Sequence, residues 1–350
     1  MDAFDRQLLN AMQEAVPLVS RPFAALGRPL GLGEQQVLER IRRLKDKEVI
    51  RQIGPVFSSR RLGYQSTLAA FHVRRERLDN VAQIVSAHPG VSHNYSRNHF
   101  YNLWFTLTLP RNRDLEAEIR QLASTADVTE YVNLPSLRRF KLGVHFDMSE
   151  KREIARTDAK ATGAPSAAPE RQPPDGGPSL TAFERDGVRA IQGDLLLVRR
   201  PFAHPAAGLG VREERLLTVA RDLDERGIMR RFSAVLKHRR AGFTANGMGC
   251  WVLPSNRIVE AGQTAATFRA VSHCYQRAAH PPRWPYNLFT MVHGQTEQEV
   301  EETVAHIEDA IAPIDYTILY SQKEYKKQRV RYFLEAHNVD VSNGRRDDGD

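Results

Sequence analysis

Two copies of one seven-residue pattern contain the residue types best suited to chemistry. Val91 to Arg97 reads VSHNYSR and Val271 to Arg277 reads VSHCYQR, so both copies keep a histidine, a tyrosine and an arginine at every second position. Histidine exchanges a proton near neutral pH because its unperturbed pKa is about 6.5, and arginine holds carboxylates through paired hydrogen bonds. Alternate strand residues share a face, so each copy is expected to present its valine, histidine, tyrosine and arginine together.

A second shared motif follows each copy. Tyr101-Asn102-Leu103 returns as Tyr286-Asn287-Leu288, and the connecting segment before it is five residues longer in the second copy. His99 and His280 lie in these connecting segments, where a side chain can swing over a ligand. His99 is the stronger candidate because Pro281-Pro282 follows His280. Seven further histidines are interpreted as surface or packing residues: His72, His88, His145, His204, His238, His306 and His337.

The elements that must position these motifs repeat in two homologous halves. Apolar residues at helical spacing, beginning with Phe4, Leu8 and Leu9, predict a helix-turn-helix module with Val49 to Phe57 as its wing. Strand-like and helical runs then follow in the order βαββαβ, which is that of a ferredoxin-like sandwich. The predicted fold is α+β, a tandem repeat of these two units. The predicted strands are 67–73, 91–96, 101–109 and 129–134, then 246–253, 271–277, 286–293 and 316–320, and the predicted sandwich helices of the first half are 78–87 and 115–123.

Proline and polar residues divide the chain. Residues 155–179 contain five prolines and no Val, Ile, Leu, Met or aromatic residue, which predicts a flexible linker. The polar, Asp-rich C-terminal tail is expected to fray. The predicted units are a winged helix-turn-helix (1–60), a ferredoxin-like domain (61–148), a linker (149–179), a second winged helix-turn-helix (180–239), a second ferredoxin-like domain (240–336) and a disordered tail (337–350).

Composition excludes several classes of protein. With 41% apolar and 26% charged residues the chain is not disordered throughout, and no apolar run is long enough to span a membrane, so a cytoplasmic protein is expected. The two cysteines, Cys250 and Cys274, exclude a disulfide framework and a four-thiolate metal site. The net charge of +8 favours a polyanionic partner, either nucleic acid or a ligand with several carboxylates or phosphates. No P-loop, HExxH or GxSxG motif is present.

The order of the units resembles the Lrp/AsnC family of regulators, in which two sensing domains pair sheet to sheet. The strand pairs resemble more specifically the sirohaem (also spelled siroheme) decarboxylase family. The motifs that support this are His93 to Thr106 in one half, and His273 to Arg277 with Trp284 to Gly294 in the other, and they match the D and L subunits respectively. The chain therefore looks like a fused D-L form, with the two halves paired within one molecule and further oligomerisation left open.

The resemblance implies a carboxy-lyase reaction. That family removes carbon dioxide from two acetate side chains of sirohaem, at C12 and C18, and gives didecarboxysirohaem on the route to haem d1, a cofactor of denitrification, or to haem. Protonation of the macrocycle would supply the electron sink, so no cofactor and no protein metal site are expected, the iron being part of the substrate. Only one of the two non-equivalent pockets is expected to be catalytic.

The roles implied for individual residues follow from this reaction. His93, His99 and His273 are expected to donate protons or to position the substrate, although a histidine that ligates the sirohaem iron is an open alternative. Arg97 and Arg277 are expected to hold retained carboxylates, with Arg51, Arg230 and Arg240 as further candidates. The remaining predicted substrate-binding residues are Tyr95, Tyr101, Trp104, Lys237, Arg239, Tyr275, Trp284, Tyr286 and His293.

Two other functions are compatible with the same units. A DNA-binding transcription regulator would explain the helix-turn-helix modules and the basic surplus. However, carboxylates open both predicted recognition helices, at Glu34 in the first half and at Glu213 and Glu214 in the second. The fusion of two diverged modules would also require an asymmetric operator, so DNA binding is expected to be absent or vestigial. A non-catalytic tetrapyrrole sensor is the third possibility.

Overall fold

The structure is a computed structural model that describes residues 1–142, 180–236 and 245–334. The predicted linker and tail, together with Lys237, Arg239 and Arg240, lie outside the described residues. The first half contains the helices α1 (Ala3–Glu14), α2 (Pro22–Gly27), α3 (Glu34–Asp46), α4 (Leu78–Ala87) and α5 (Leu115–Thr125), with the strands β1 (Ile50–Phe57), β2 (Tyr64–Phe71), β3 (Val91–Arg97), β4 (Leu103–Pro110) and β5 (Tyr131–Leu142). The second half contains the helices α6 (Ala182–Ile191), α7 (Ala203–Gly208), α8 (Glu213–Glu225), α9 (Ile258–Thr267) and α10 (Glu297–Ile311), with the strands β6 (Met229–Leu236), β7 (Ala245–Val252), β8 (Val271–Arg277), β9 (Leu288–Gly294) and β10 (Asp315–Lys327).

The two helix-turn-helix modules share a single hydrophobic core. Asp2 and Thr181 each accept a hydrogen bond from the third residue of the following helix and so begin α1 and α6 with a capping box. Apolar residues of both modules, such as Leu8 and Leu216, are fully buried in the same cluster. The modules are therefore joined by the burial of apolar surface as well as by the chain.

The predicted wing of the first module does not fold back on its own module. Val49 to Phe57 was expected to serve that role, and β1 does form there. Its partner is β6 of the other half, and the two strands make a separate antiparallel pair with Gly54 opposite Ser233. The pairing satisfies the strand's backbone groups across the halves, a partnership that the periodicity of one half does not reveal.

The other eight strands form one closed antiparallel barrel in the order β10-β3-β4-β2-β5-β8-β9-β7. Within it each half keeps the strand order of a ferredoxin-like sandwich, β5-β2-β4-β3 and β10-β7-β9-β8, so the predicted βαββαβ fold is confirmed in both halves. The helices α4, α5, α9 and α10 pack outside, and residues of both halves, such as Leu134 and Leu319, fill the interior. The two halves are thus paired within the molecule, as the resemblance implied.

Two long strands close the barrel. Residues 131–135 of β5 pair with β2 of the same half, and residues 136–142 pair with β8 of the other half. Similarly, β10 pairs first with β7 and then, from Ser321 onwards, with β3. The predicted strands 129–134 and 316–320 were too short because the second part of each strand is polar and charged. No helix among the described residues is long and apolar enough to cross a membrane.

Candidate active site

A β-bulge at the start of β3 and of β8 corrects the predicted face of these strands. The pairing with the neighbouring strand shifts register between Val91 and His93, and again between Val271 and His273. Both valines therefore turn into the helix-covered cores outside the barrel. The extra residue of a bulge moves the following side chains to the other face, so only the histidine, tyrosine and arginine of each copy share a face.

These three residues form equivalent rows in the two halves. The rings of His93 and Tyr95 lie 6.3 Å apart with 27° between their planes, and those of His273 and Tyr275 lie 6.2 Å apart with 24° between them. The guanidinium of Arg97 lies 5.9 Å from the Tyr95 ring centre. The row in the second half ends in the same way, with 5.0 Å between the Arg277 guanidinium and the Tyr275 ring centre.

The two rows point the same way along the barrel, so both histidines lie at one end of it. Four antiparallel steps separate β3 from β8 in the strand order, which makes these strands parallel. Burial, together with the positive charges of Lys327 and Arg51 and the nearness of His273, lowers the pKa of His93 to about 4. Burial likewise lowers the pKa of His273 to about 4, with Arg277 and Lys141 contributing. Both imidazoles are therefore neutral at pH 7, which differs from the ordinary histidine pKa expected from the sequence.

A group of cations lies beside His93 where the barrel meets the β1–β6 pair; we call it the basic cluster (Arg51, Arg231, Lys327 and Arg329). Arg51 donates a hydrogen bond to the carbonyl of Lys327, and Arg329 donates one to the carbonyl of Pro55 at 2.7 Å. Burial, together with the neighbouring charges of Arg231 and Arg51, lowers the pKa of Arg329 to about 10.

Few carboxylates compensate the basic cluster. Asp194 is near Arg329 but also pairs with Lys45, and Glu324 lies 3.9 Å from the Lys327 ammonium. One buried nitrogen of Arg329, Nη2, has no hydrogen-bond acceptor in the described part of the chain. A concentration of partly desolvated cations with surplus donors is suited to binding a ligand with several carboxylates.

Arg97 and Arg277 lie deeper in the barrel. Arg97 is only 7% exposed and donates to the carbonyl of Leu319 at 2.9 Å, while Arg277 donates to the carbonyl of Leu134 at 2.6 Å. The Nε of each has no acceptor, and neither makes an ion pair among residues 1–142, 180–236 and 245–334. Burial lowers the pKa of Arg97, and it lowers that of Arg277 to about 10. Both arginines are cations inside the barrel with donors to spare.

The structure does not bring His99 together with His93 and His273. His99 follows the opposite end of β3, and its ring lies 5.2 Å from that of Trp284 of the other half. Trp284 is fully buried and lies 5.0 Å from the Trp104 ring. Tyr101 and Tyr286 also contact Trp284, with ring centres 6.2 Å and 4.9 Å away. These four aromatic residues pack against one another as barrel core at the end away from the basic cluster.

The second half adds a hydrogen-bonded chain behind His273. The Ser272 hydroxyl lies 2.7 Å from Nδ1 of His273 and 2.6 Å from Nε2 of His293. His293 Nδ1 in turn donates to the amide oxygen of Asn246. In the first half the Ser92 hydroxyl lies 3.0 Å from Nδ1 of His93, and no second histidine of the described residues continues the line of hydrogen bonds. The sequence predicted His293 as a substrate ligand, and the structure places it behind His273 and Ser272 in this chain of hydrogen bonds.

No group of three or more His, Cys, Asp or Glu side chains suited to a metal ion occurs in the described ranges. Cys250 and Cys274 are buried, and burial raises the pKa of both thiols. Lys327, Arg329 and Arg231 were not predicted as site residues. A signal existed in the run Lys326-Lys327-Gln328-Arg329, whose cations lie at the end of β10, but only the pairing of β10 with β3 shows which histidine they approach.

Comparisons with known proteins match both types of unit in each half of the chain. Residues 61–141 and 240–326 match the model of the AsnC-like ligand binding domain, and residues 5–51 and 184–230 match that of the siroheme decarboxylase NirDL-like HTH domain. The siroheme decarboxylase of Hydrogenobacter thermophilus is 41% identical over 334 residues, which cover 95% of each protein.

A solved structure and a shorter relative extend the match. The crystal structure of the siroheme decarboxylase NirDL in co-complex with an iron-uroporphyrin III analogue matches with a TM-score of 0.71 and 37% identity, covering 95% of each chain. The siroheme decarboxylase alpha subunit of Desulfovibrio desulfuricans is 45% identical over 148 residues, which are 42% of this chain and 85% of that subunit. The resemblance in the sequence is confirmed, and the chain belongs to the sirohaem decarboxylase family of carboxy-lyases.

Proposed function

We propose that this chain removes carbon dioxide from the C12 and C18 acetate side chains of sirohaem and releases didecarboxysirohaem. The observation that supports this most directly is the basic cluster beside His93, at the end of the barrel that holds two neutral, half-buried histidines. The substrate carries many carboxylates, and each charge-assisted hydrogen bond to one of them contributes about 1.5 to 3 kcal/mol. The cations hold the carboxylates that are kept, while an acetate reaches the histidines.

The reaction needs a place for the electron pair that the departing carboxylate leaves behind. Protonation of the macrocycle supplies it. A second proton then takes the place of the lost carboxylate on the methylene carbon, and the macrocycle releases the proton that it had taken up. Each acetate thus consumes one proton and releases one carbon dioxide, with no net oxidation or reduction. A histidine of pKa about 4 is protonated in about one molecule in a thousand at pH 7, so bound substrate carboxylates must raise this pKa or the proton must come from a neutral imidazole.

Position in the barrel separates the predicted residues into two groups. His93, His273, Tyr95 and Tyr275 belong to the end that meets the basic cluster, with Arg97 and Arg277 behind them. His99 belongs to the far end with the aromatic core residues, and we assign it no part in proton transfer. In the cell the product would serve the synthesis of haem d1 or of haem.

Mass spectrometry of the tetrapyrrole tests the activity. The purified protein is mixed anaerobically with sirohaem without nicotinamide, flavin or added metal, and the product is expected to have lost two carbon dioxide molecules. A tetrapyrrole that binds, seen by its absorbance, but keeps its mass would support a sensor and contradict the enzyme.

The location of the site is tested by neutralising cations at the two ends. Arg51→Gln and Lys327→Gln are each expected to weaken binding of sirohaem by about tenfold, the loss of one charge-assisted hydrogen bond. Arg283→Gln is the matched control, because Arg283 lies at the far end over the Phe100 ring and pairs with Glu130. Weakened binding in the Arg283→Gln control alone would place the substrate at the far end of the barrel and contradict the proposed site.

A further inference from the structure

We propose that Ser272, His293 and Asn246 form a proton relay that lets His273 donate a proton without itself becoming charged. This inference rests on the proposed decarboxylation and names the proton route for it. The relay is a line of four side chains in the second half: His273, Ser272, His293 and Asn246. It runs from the face shared with Tyr275 to the neighbouring strands β9 and β7.

The hydrogen bonds fix how the line is arranged at rest. Asn246 offers its amide oxygen to His293, so Nδ1 of His293 holds a hydrogen and Nε2 has a lone pair. The Ser272 hydroxyl then donates to that Nε2 and accepts from Nδ1 of His273. The Met291 carbonyl is a more distant second acceptor for Ser272, at 3.3 Å. Nε2 of His273 is left as a base.

One added proton reverses the direction of the hydrogen bonds along this line. His273 takes a proton on Nε2 and passes its Nδ1 hydrogen to Ser272, and Ser272 passes its own hydrogen to Nε2 of His293. The positive charge now lies on His293, which is partly exposed and keeps its hydrogen bond to the Asn246 oxygen. His273 stays neutral but holds an N–H on Nε2 that it can donate to the substrate.

Donation to the substrate runs the same steps backwards. The C–C bond to the carboxylate breaks, carbon dioxide leaves, and the electron pair enters the protonated macrocycle. The pair then forms the new C–H bond with the proton that His273 gives from Nε2, and the macrocycle releases the proton that it had taken up. His273 regains a hydrogen on Nδ1 from Ser272, and Ser272 regains one from His293. A proton from water then reloads the line through the same atoms, so each decarboxylation consumes one solvent proton.

The first half cannot build this line. His293 faces Asn246 across the β7–β9 pair, and the equivalent facing positions of β2 and β4 are Ser66 and Thr108. Those two hydroxyls bond to each other at 2.8 Å and offer no imidazole that could store a proton. Without such a line, His93 would have to carry the positive charge itself, and its burial disfavours the charged form. The relay therefore assigns proton donation to His273.

Three variants test the relay, with turnover and KM measured separately. Ser272→Ala and His293→Ala are expected to lower kcat by about ten- to a hundredfold with little change in KM. Imidazole added to the His293→Ala protein is expected to restore part of the lost turnover. Thr108→Ala, at the position equivalent to His293, is the matched control and is expected to keep wild-type kcat.

A structural role for His293 predicts a different pattern. His293→Gln keeps an amide nitrogen near Ser272 but cannot pass a proton, so the relay predicts the same loss of kcat as for alanine, and a merely structural role predicts rescue. This variant also serves if the alanine variant misfolds. Wild-type kcat in Ser272→Ala, or a change confined to KM, would overturn the relay, whereas an inactive wild-type protein would overturn the proposed function itself.

Discussion

At the scale of single residues, His93 and His273 were predicted from sequence, but their environment was not. The repeated His-x-Tyr-x-Arg pattern identified His93 and His273 because alternation on a strand is a local property. The approach of Lys327 to His93 is not local, because it depends on where a strand from the other half ends. For the same reason the sequence grouped His99 with His93, although they lie at opposite ends of β3.

Alanine variants separate the three histidines. His273→Ala is expected to lower kcat by about a hundredfold with substrate binding kept, since a general acid is lost. His93→Ala is expected to weaken substrate binding by about tenfold because an imidazole that hydrogen-bonds to the substrate is removed. His99→Ala serves as the control and should stay within about twofold of wild type in kcat and KM, because its ring packs on Trp284. The reverse order of effects would move the reaction to the far end of the barrel.

The neutral state of the buried histidines predicts acid sensitivity. Each has a folded pKa of about 4, lowered by burial from 6.5, so between these values unfolding takes up protons and the free energy of unfolding falls as the pH falls. The contribution of these histidines to the free energy of unfolding is fully present above pH 6.5 and is lost progressively toward pH 4. Urea unfolding of wild type and of a His93→Gln, His273→Gln double variant at several pH values checks this. Equal pH slopes for the two proteins would show that these histidines are not held neutral.

At the scale of secondary structure elements, the repeat allowed most strands and helices to be placed. Helix α4 and strand β8 begin and end where the apolar pattern predicted. The second parts of β5 and β10 were missed, since residues such as Arg138 and Lys323 alternate without an apolar face. Their stability comes from pairing with β8 and β3 of the other half, and a pattern read along one half contains no signal for it.

A glycine in α9 tests how closely β5 packs on the other half. A β-carbon at Gly262 would overlap the Phe140 ring, so Gly262→Ala is expected to lower the free energy of unfolding by about 1 to 3 kcal/mol despite the better helix propensity of alanine. Gly208→Ala is the matched control, because Gly208 has no atom within 4 Å of the added carbon. Chemical denaturation measures both, and an unchanged Gly262→Ala protein would mean that β5 does not lie on α9 as described.

Carboxylates at the N-termini of α3 and α8, the helices in the position of recognition helices, predict weak DNA binding. The Glu34 carboxylate, which opens α3, pairs with Arg21 and lies 3.9 Å from Arg199 of the other half. Glu213, at the start of α8, accepts from Ser20 of the first half at 2.8 Å and pairs with Arg200. In helix-turn-helix proteins this first turn contacts base edges. We expect only salt-sensitive, unselective binding to random fragments in a fluorescence titration, and a tight selective complex at physiological salt would restore the regulator hypothesis.

At the scale of the whole molecule, two diverged copies form one body through a closed barrel and a shared helical core. The copies differ where the chemistry is assigned: Lys327 in one half corresponds to Leu142 in the other, and His293 corresponds to Thr108. In our proposal one half supplies the histidine with the relay, and the basic cluster beside the other half's histidine binds the carboxylates of the substrate. Fusion keeps these unlike contributions together in one site.

The mass of the product formed in heavy water tests the central claim most directly. Wild-type protein is incubated anaerobically with sirohaem in D2O, and the recovered tetrapyrrole is measured by high-resolution mass spectrometry. The account predicts the loss of two carbon dioxide molecules and the gain of one carbon-bound deuterium at each new methyl group, because solvent protons replace both carboxylates. Sirohaem that is bound yet recovered with both acetates, or a product oxidised at the methylene carbons, would contradict it.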